Sequence, residues 1–146
     1  MTDDLVVLDA SVAVKAVLPN PMQAHCLALV QTFTDVQPVA PALWAYGTTS
    51  AIAKAVHFGE ITEKEAHKAL EKLDSLGVRL IVADAEQNRA AFDWTLRLKR
   101  ASGYDSYYLV LAQTMECDFW TADKRLFHAL QDAHLSWVHW IEEMMS

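Results

Sequence analysis

Leu5-Val6-Val7-Leu8-Asp9-Ala10-Ser11 is the stretch that decides the fold. Four apolar residues in an unbroken run, with no polar alternation, are what a strand covered on both faces requires, and parallel sheets flanked by helices supply that environment. Asp9 ends the run, and Ser11 is expected to cap a helix over roughly residues 11–18. Pro19-Asn20-Pro21 stops that helix, and residues 22–34 return to helical spacing, which predicts a helical hairpin.

Further along, residues 36–40 form a weak strand candidate, and Pro41 sits where the first residue of the next helix is expected, its fixed φ and missing donor both harmless there. That helix runs to the Phe58-Gly59 break. Thr62-Glu63-Lys64-Glu65 then offers a capping box ahead of a helix ending near Gly77. Residues 78–82 read as a strand, and a helix follows from Asp84 or Ala85 to about Arg100. After the Ser102-Gly103-Tyr104 turn, residues 105–116 are helical by the stripe of Tyr108, Leu111, Ala112 and Met115. Residues 118–121 make a short strand, Asp123 opens a helical turn, and residues 136–141 form a last strand at the sheet edge. This alternation predicts an α/β fold, a three-layer α/β/α sandwich around a mostly parallel central sheet, with residues 1–146 forming a single domain.

Composition narrows the class. The hydrophobic fraction of 53% with only 4 Gly and 4 Pro excludes a disordered chain. No apolar stretch persists long enough for a membrane span, and the acidic start lacks the features of a signal peptide, so a cytoplasmic protein is expected. Cys26 and Cys117 lack the close partners of a zinc or redox motif and are expected to be reduced thiols. A net charge of −7 argues against coating nucleic acid by bulk attraction, yet it is compatible with a nuclease whose acidic residues hold metal.

In open parallel sheets ligands bind outside the carboxyl ends of the strands. Asp9 and Asp123 each follow a predicted strand and fall at that end, and Asp105 starts a helix entering from the same side. Like-charged carboxylates about 4 Å apart repel by on the order of 4 kcal/mol at an effective dielectric near 20, so such a cluster needs a cation or protons. Hard oxygen ligands suit Mg²⁺ or Mn²⁺, ions that keep positions open for water and substrate phosphate.

With these segments in order, the chain resembles the PIN domain family, particularly the small VapC-like toxins of toxin–antitoxin systems. Val7-Leu8-Asp9-Ala10-Ser11-Val12, Pro41-Ala42-Leu43-Trp44, Gly103-Tyr104-Asp105-Ser106-Tyr107-Tyr108-Leu109-Val110-Leu111-Ala112 and Thr121-Ala122-Asp123-Lys124-Arg125-Leu126 carry the resemblance, which covers essentially the whole chain. It implies that Asp9, Asp105 and Asp123 are catalytic metal ligands, with Ser11 and Thr121 supporting them. It also implies a magnesium- or manganese-dependent ribonuclease, usually a homodimer, often held inactive by a small antitoxin.

One position departs from the family pattern. The helix after Pro41 usually carries a Glu that completes an acidic quartet, and Gly47 holds that place here. Glycine has no side chain to ligate a metal. The alternative expectation is therefore a catalytically weak PIN-like domain that binds an antitoxin-like partner or RNA. A phosphotransfer reading with Asp9 as nucleophile fits less well, because haloacid-dehalogenase-like enzymes carry a second Asp where this chain has Ser11.

Lys124 and Arg125, directly after Asp123, are the candidate substrate-binding residues. Lys15, Lys54, Arg97, Lys99 and Arg100 are further candidates for a basic rim. Tyr104 and Tyr107 flank Asp105, whereas the tryptophans are expected mainly in the core.

Overall fold

The computed structural model describes residues 4–100 and 102–145. The apolar run near the start becomes β1 (Asp4–Leu8), followed by α1 (Ala10–Val17) and α2 (Gln23–Gln31). Next come β2 (Val36–Pro41), α3 (Leu43–His57), α4 (Glu63–Ser75) and β3 (Arg79–Ile81). Two helices, α5 (Ala85–Arg97) and α6 (Tyr104–Met115), precede β4 (Asp118–Thr121), α7 (Lys124–Leu130) and β5 (Val138–Trp140).

Among the described residues the strands form one five-stranded sheet in the order β3-β2-β1-β4-β5, and every pairing is parallel. The doubly covered strand expected from the uninterrupted run is therefore central: Val7 and Leu8 are fully buried, as are Val39 of β2 and Phe119 of β4. In register, Val7 lies beside both Val39 and Phe119. One face of the sheet carries α6, against β1, β2 and β4, with α5 packed on it. The other carries α1, which contacts α2, α3 and α4. The result is a three-layer α/β/α sandwich with an all-parallel sheet.

Two local expectations are corrected. Ser11 does not cap α1: the residue ahead of that helix is Asp9, in extended backbone, and no side chain caps it. Pro41 is the last residue of β2, not the first of α3. Its missing donor does no harm there, and the chain continues the ladder one residue later through Ala42 N donating to Ile81 O at 2.9 Å. The Thr62 capping box is present with both of its bonds, Glu65 N to Thr62 Oγ1 at 3.1 Å and Thr62 N to Glu65 Oε1 at 3.0 Å.

The strand order reverses between β1 and β4, since the chain moves outward from β1 on one side and from β4 on the other. At such a switch point the connections leave the sheet on opposite faces and open a crevice at the carboxyl ends. Asp9 follows β1 and Asp123 follows β4 by two residues, so both stand at the carboxyl ends of these paired strands.

Candidate metal centre

Asp9 is the most deeply placed of the three aspartates, with 6% of its surface exposed. Its Oδ2 accepts two hydrogen bonds, from Ser11 Oγ at 2.8 Å and from Thr121 Oγ1 at 2.7 Å. Both hydroxyls accept in turn from the β4–α7 connection: Ala122 N donates to Ser11 Oγ at 3.0 Å, and Asp123 N to Thr121 Oγ1 at 3.0 Å. Ser11 and Thr121 thereby orient Asp9 and stitch the ends of β1 and β4 together. Lys15 reinforces the same connection by donating from Nζ to Ala122 O at 3.1 Å. The second carboxylate oxygen of Asp9, Oδ1, carries no hydrogen bond among the described residues.

Burial pushes the Asp9 carboxyl up to about 6. The two hydroxyl donors pull the other way, and the charges of Asp105 and Asp123 add to the rise. That electrostatic coupling places all three aspartates in one field.

Asp123 caps α7: its Oδ1 accepts from Arg125 N at 2.9 Å and Leu126 N at 3.2 Å, which leaves Oδ2 uncommitted. Asp105 lies in the first turn of α6, and its Oδ2 takes the Arg100 guanidinium at 2.9 Å. Burial raises the Asp105 carboxyl and Asp123 adds to that, against the lowering effect of Arg100. Each aspartate thus spends one oxygen on the protein and keeps the other. Among the described residues no three or more His, Cys, Asp or Glu side chains form a group that could hold a metal ion as the side chains stand. Asp9, Asp105 and Asp123 lie within electrostatic range of one another. Hard divalent cations take such oxygen donors and complete their shells with water.

Two participants were not legible beforehand. Tyr108 falls three residues after Asp105 on α6, and its place in an apolar stripe points only to packing. The ring does pack beside Phe119, but the 2%-exposed residue carries a hydroxyl in the field of Asp9 and Asp105. That hydroxyl approaches the Ala10 backbone N–H without a well-formed hydrogen bond, and its proton has no acceptor among the described residues. Burial, then Asp9, raise the phenol far above its ordinary value, so it remains a protonated donor. Arg100 is the second. It precedes Asp105 by five residues across a turn, and no periodicity reveals such a pairing.

The expected basic rim is largely committed elsewhere. Arg97 lies over the Trp94 ring at 4.7 Å, and Lys124 over the Trp140 ring at 5.9 Å. Lys124 and Arg125 are both exposed at the start of α7. Tyr104 is exposed, whereas Tyr107 donates from Oη to Asn88 Oδ1 at 2.8 Å. Gly47 is exposed on α3, and a Cβ there would meet only the Ala10 Cβ, at 3.8 Å. No packing constraint demands glycine at this position. A groove of about 1180 Å³ lies at the opposite end of the sheet, lined in part by Leu5, Val36 and Trp137, and includes none of the three aspartates.

No protein-family model and no curated protein sequence matches the chain. Solved structures do share its fold. It is similar to Mycobacterium tuberculosis VapC20, a sarcin-ricin loop cleaving toxin, with a TM-score of 0.65 at 13% identity over 85% of this chain and 94% of that one. It is similar to PAE2754 from Pyrobaculum aerophilum, with a TM-score of 0.69 at 15% identity over 97% of this chain and 87% of that one. A third likeness is to VapBC2 from Rickettsia felis, solved bound to a DNA fragment from their promoter, with a TM-score of 0.63 at 11% identity over 93% and 96% of the two chains. The chain therefore has the PIN-like fold of the VapC toxins. Among the described residues no helix is long and apolar enough to cross a membrane.

Proposed function

We propose that this chain is a divalent-metal-dependent endoribonuclease, the toxin of a toxin–antitoxin pair, acting in the cytoplasm as a single-domain protein. Asp9, Asp105 and Asp123 hold Mg²⁺ or Mn²⁺ in this reading. The observation that carries it is the electrostatic coupling of the three carboxylates, two of which follow the paired strands β1 and β4, with burial and mutual repulsion raising Asp9 to about 6. A charge so placed calls for a cation. Three carboxylates are the oxygen donors that a hydrated divalent ion takes.

When bound, the ion supplies activation of water for attack on phosphorus and neutralises charge on the scissile phosphate. The protein's own residues do the positioning. Ser11 and Thr121 hold Asp9 by Oδ2, which leaves its Oδ1 as the oxygen for a cation. The α7 backbone holds Asp123 by Oδ1 and leaves Oδ2. Tyr108 offers a proton that burial keeps on its oxygen. Lys124 and Arg125, exposed beside Asp123, are the residues we assign to contact RNA phosphates, Lys124 by leaving the Trp140 ring. VapC20 cleaves a sarcin-ricin loop, which makes structured RNA the first substrate class to test. The VapBC2 assembly supports a small antitoxin as partner, and a homodimer is the assembly we propose.

A second reading rests on Gly47. The exposed position beside Ala10 carries no carboxylate where the family pattern has one, which favours a slow nuclease or a domain that binds RNA or an antitoxin without cutting. One experiment separates the two. RNA is incubated with wild type, Asp105→Ala and Gly47→Glu in Mn²⁺ and in EDTA. A nuclease gives Mn²⁺-dependent cleavage that Asp105→Ala abolishes and Gly47→Glu enhances. Binding without cleavage in all three proteins supports the second reading.

A further inference from the structure

Among the described residues, Arg100 is the cationic side chain that pairs with an aspartate of the acidic centre. Arg100 Nη2 stands 2.9 Å from Asp105 Oδ2, with the two side chains 27% and 30% exposed. This placement is built into the backbone. The last turn of α5 closes with Lys99 in the left-handed region at φ 56°, a position glycine usually takes. Lys99 N donates to Leu96 O at 3.1 Å and Arg100 N to Thr95 O at 3.2 Å, the paired bonds of a Schellman ending. Thr95 Oγ1 and Ser106 Oγ, 2.8 Å apart, tie α5 to the first turn of α6 beside it. Arg100 is thus delivered to Asp105 by a turn whose lysine adopts a conformation most side chains avoid.

We propose that Arg100 is the resident counter-ion of the centre: paired with Asp105 Oδ2, it competes there with a divalent cation and so sets the affinity for metal. This inference rests on the metal-dependent reading above. Each of the other two aspartates has its committed oxygen held by neutral donors, Ser11 and Thr121 for Asp9 and backbone amides for Asp123. Among the described residues only Asp105 of the three is paired with a full positive charge, the kind of partner that a cation must displace or repel. Arg100 acts through Asp105 and is a positioning residue.

The test is Mn²⁺ binding followed by the electron paramagnetic resonance signal of free Mn²⁺, for wild type, Arg100→Gln, Arg100→Lys and Asp105→Asn. Removing a unit charge a few ångströms from a dication, and freeing an oxygen, is expected to tighten Mn²⁺ binding roughly tenfold in Arg100→Gln after solvent screening. Arg100→Lys retains the charge and is expected to bind Mn²⁺ close to wild type, which also shows that the position tolerates substitution. Arg100→Gln binding Mn²⁺ more weakly than wild type overturns the proposal, because Arg100 then merely orders Asp105. Unchanged binding in Arg100→Gln overturns it as well. If Asp105→Asn loses Mn²⁺ while Arg100→Gln is unchanged, the metal reading stands and the counter-ion proposal alone falls. No Mn²⁺ binding by any of the four proteins removes both.

Discussion

Replacing Asp9 by Asn removes a buried charge while keeping the shape of the residue and an oxygen for the Ser11 and Thr121 hydroxyls. Burial raises this carboxyl from an ordinary 3.8 to about 6, and each unit corresponds to 1.36 kcal/mol. The ionised form therefore costs the metal-free fold about 3 kcal/mol at neutral pH. The sign follows from proton binding. Between about pH 4 and 6 the folded protein holds this proton more tightly than the unfolded chain does, so the Asp9 contribution is intact below that window and is lost as pH rises through it. Asn does not titrate. In EDTA, Asp9→Asn is expected to match wild type near pH 4 and to exceed it by about 3 kcal/mol at pH 7.5, equivalent to roughly 6–12 °C in Tm. Thermal unfolding followed by circular dichroism at pH steps from 4 to 8 reads this directly. Adding Mn²⁺ at pH 7.5 is expected to raise the Tm of wild type and leave that of Asp9→Asn unmoved. A pH-independent difference, or an Asp9→Asn protein less stable than wild type at pH 7.5 in EDTA, refutes the reasoning.

Two further substitutions probe the frame of the site. Gly47→Ala adds a Cβ that meets only Ala10 Cβ at 3.8 Å, and removes the backbone freedom of a mid-helix glycine. A gain of about 0.5–1 kcal/mol is expected in urea unfolding. Thr121→Val keeps the volume but deletes the hydroxyl that bonds Asp9 and accepts from Asp123 N. It is expected to cost about 1–3 kcal/mol of stability and to lower RNA cleavage in Mn²⁺, measured with a labelled RNA.

The features legible in the sequence were those that depend on near neighbours. The run ending at Leu8 had to be buried on both faces, and it is the central strand. The Thr62 capping box is a contact over three residues and is present as read. Asp9 and Asp123 were placed correctly at the carboxyl end of the sheet, because a strand carries its following residue to that edge wherever the strand lies. Other features depend on which strands become neighbours. Ser11 was read as a cap because local spacing allowed it. With β4 beside β1, its hydroxyl bonds Asp9 and Ala122, the supporting place that the family resemblance implies for it. Pro41 can start a helix, but here it ends a strand whose ladder passes through Ala42 and Ile81. The charge balance of the centre was the least legible part. Arg100 belonged to a list of possible rim residues, and only the left-handed turn at Lys99 brings it back to Asp105.

Anomalous diffraction from crystals grown in Mn²⁺ tests the central claim most directly. The account predicts one manganese peak in the crevice between β1 and β4, ligated by Asp9 Oδ1 with Asp105 and Asp123 around it, and absent in Asp9→Asn crystals. A crevice without manganese at saturating Mn²⁺, or a peak bound by other side chains, contradicts it.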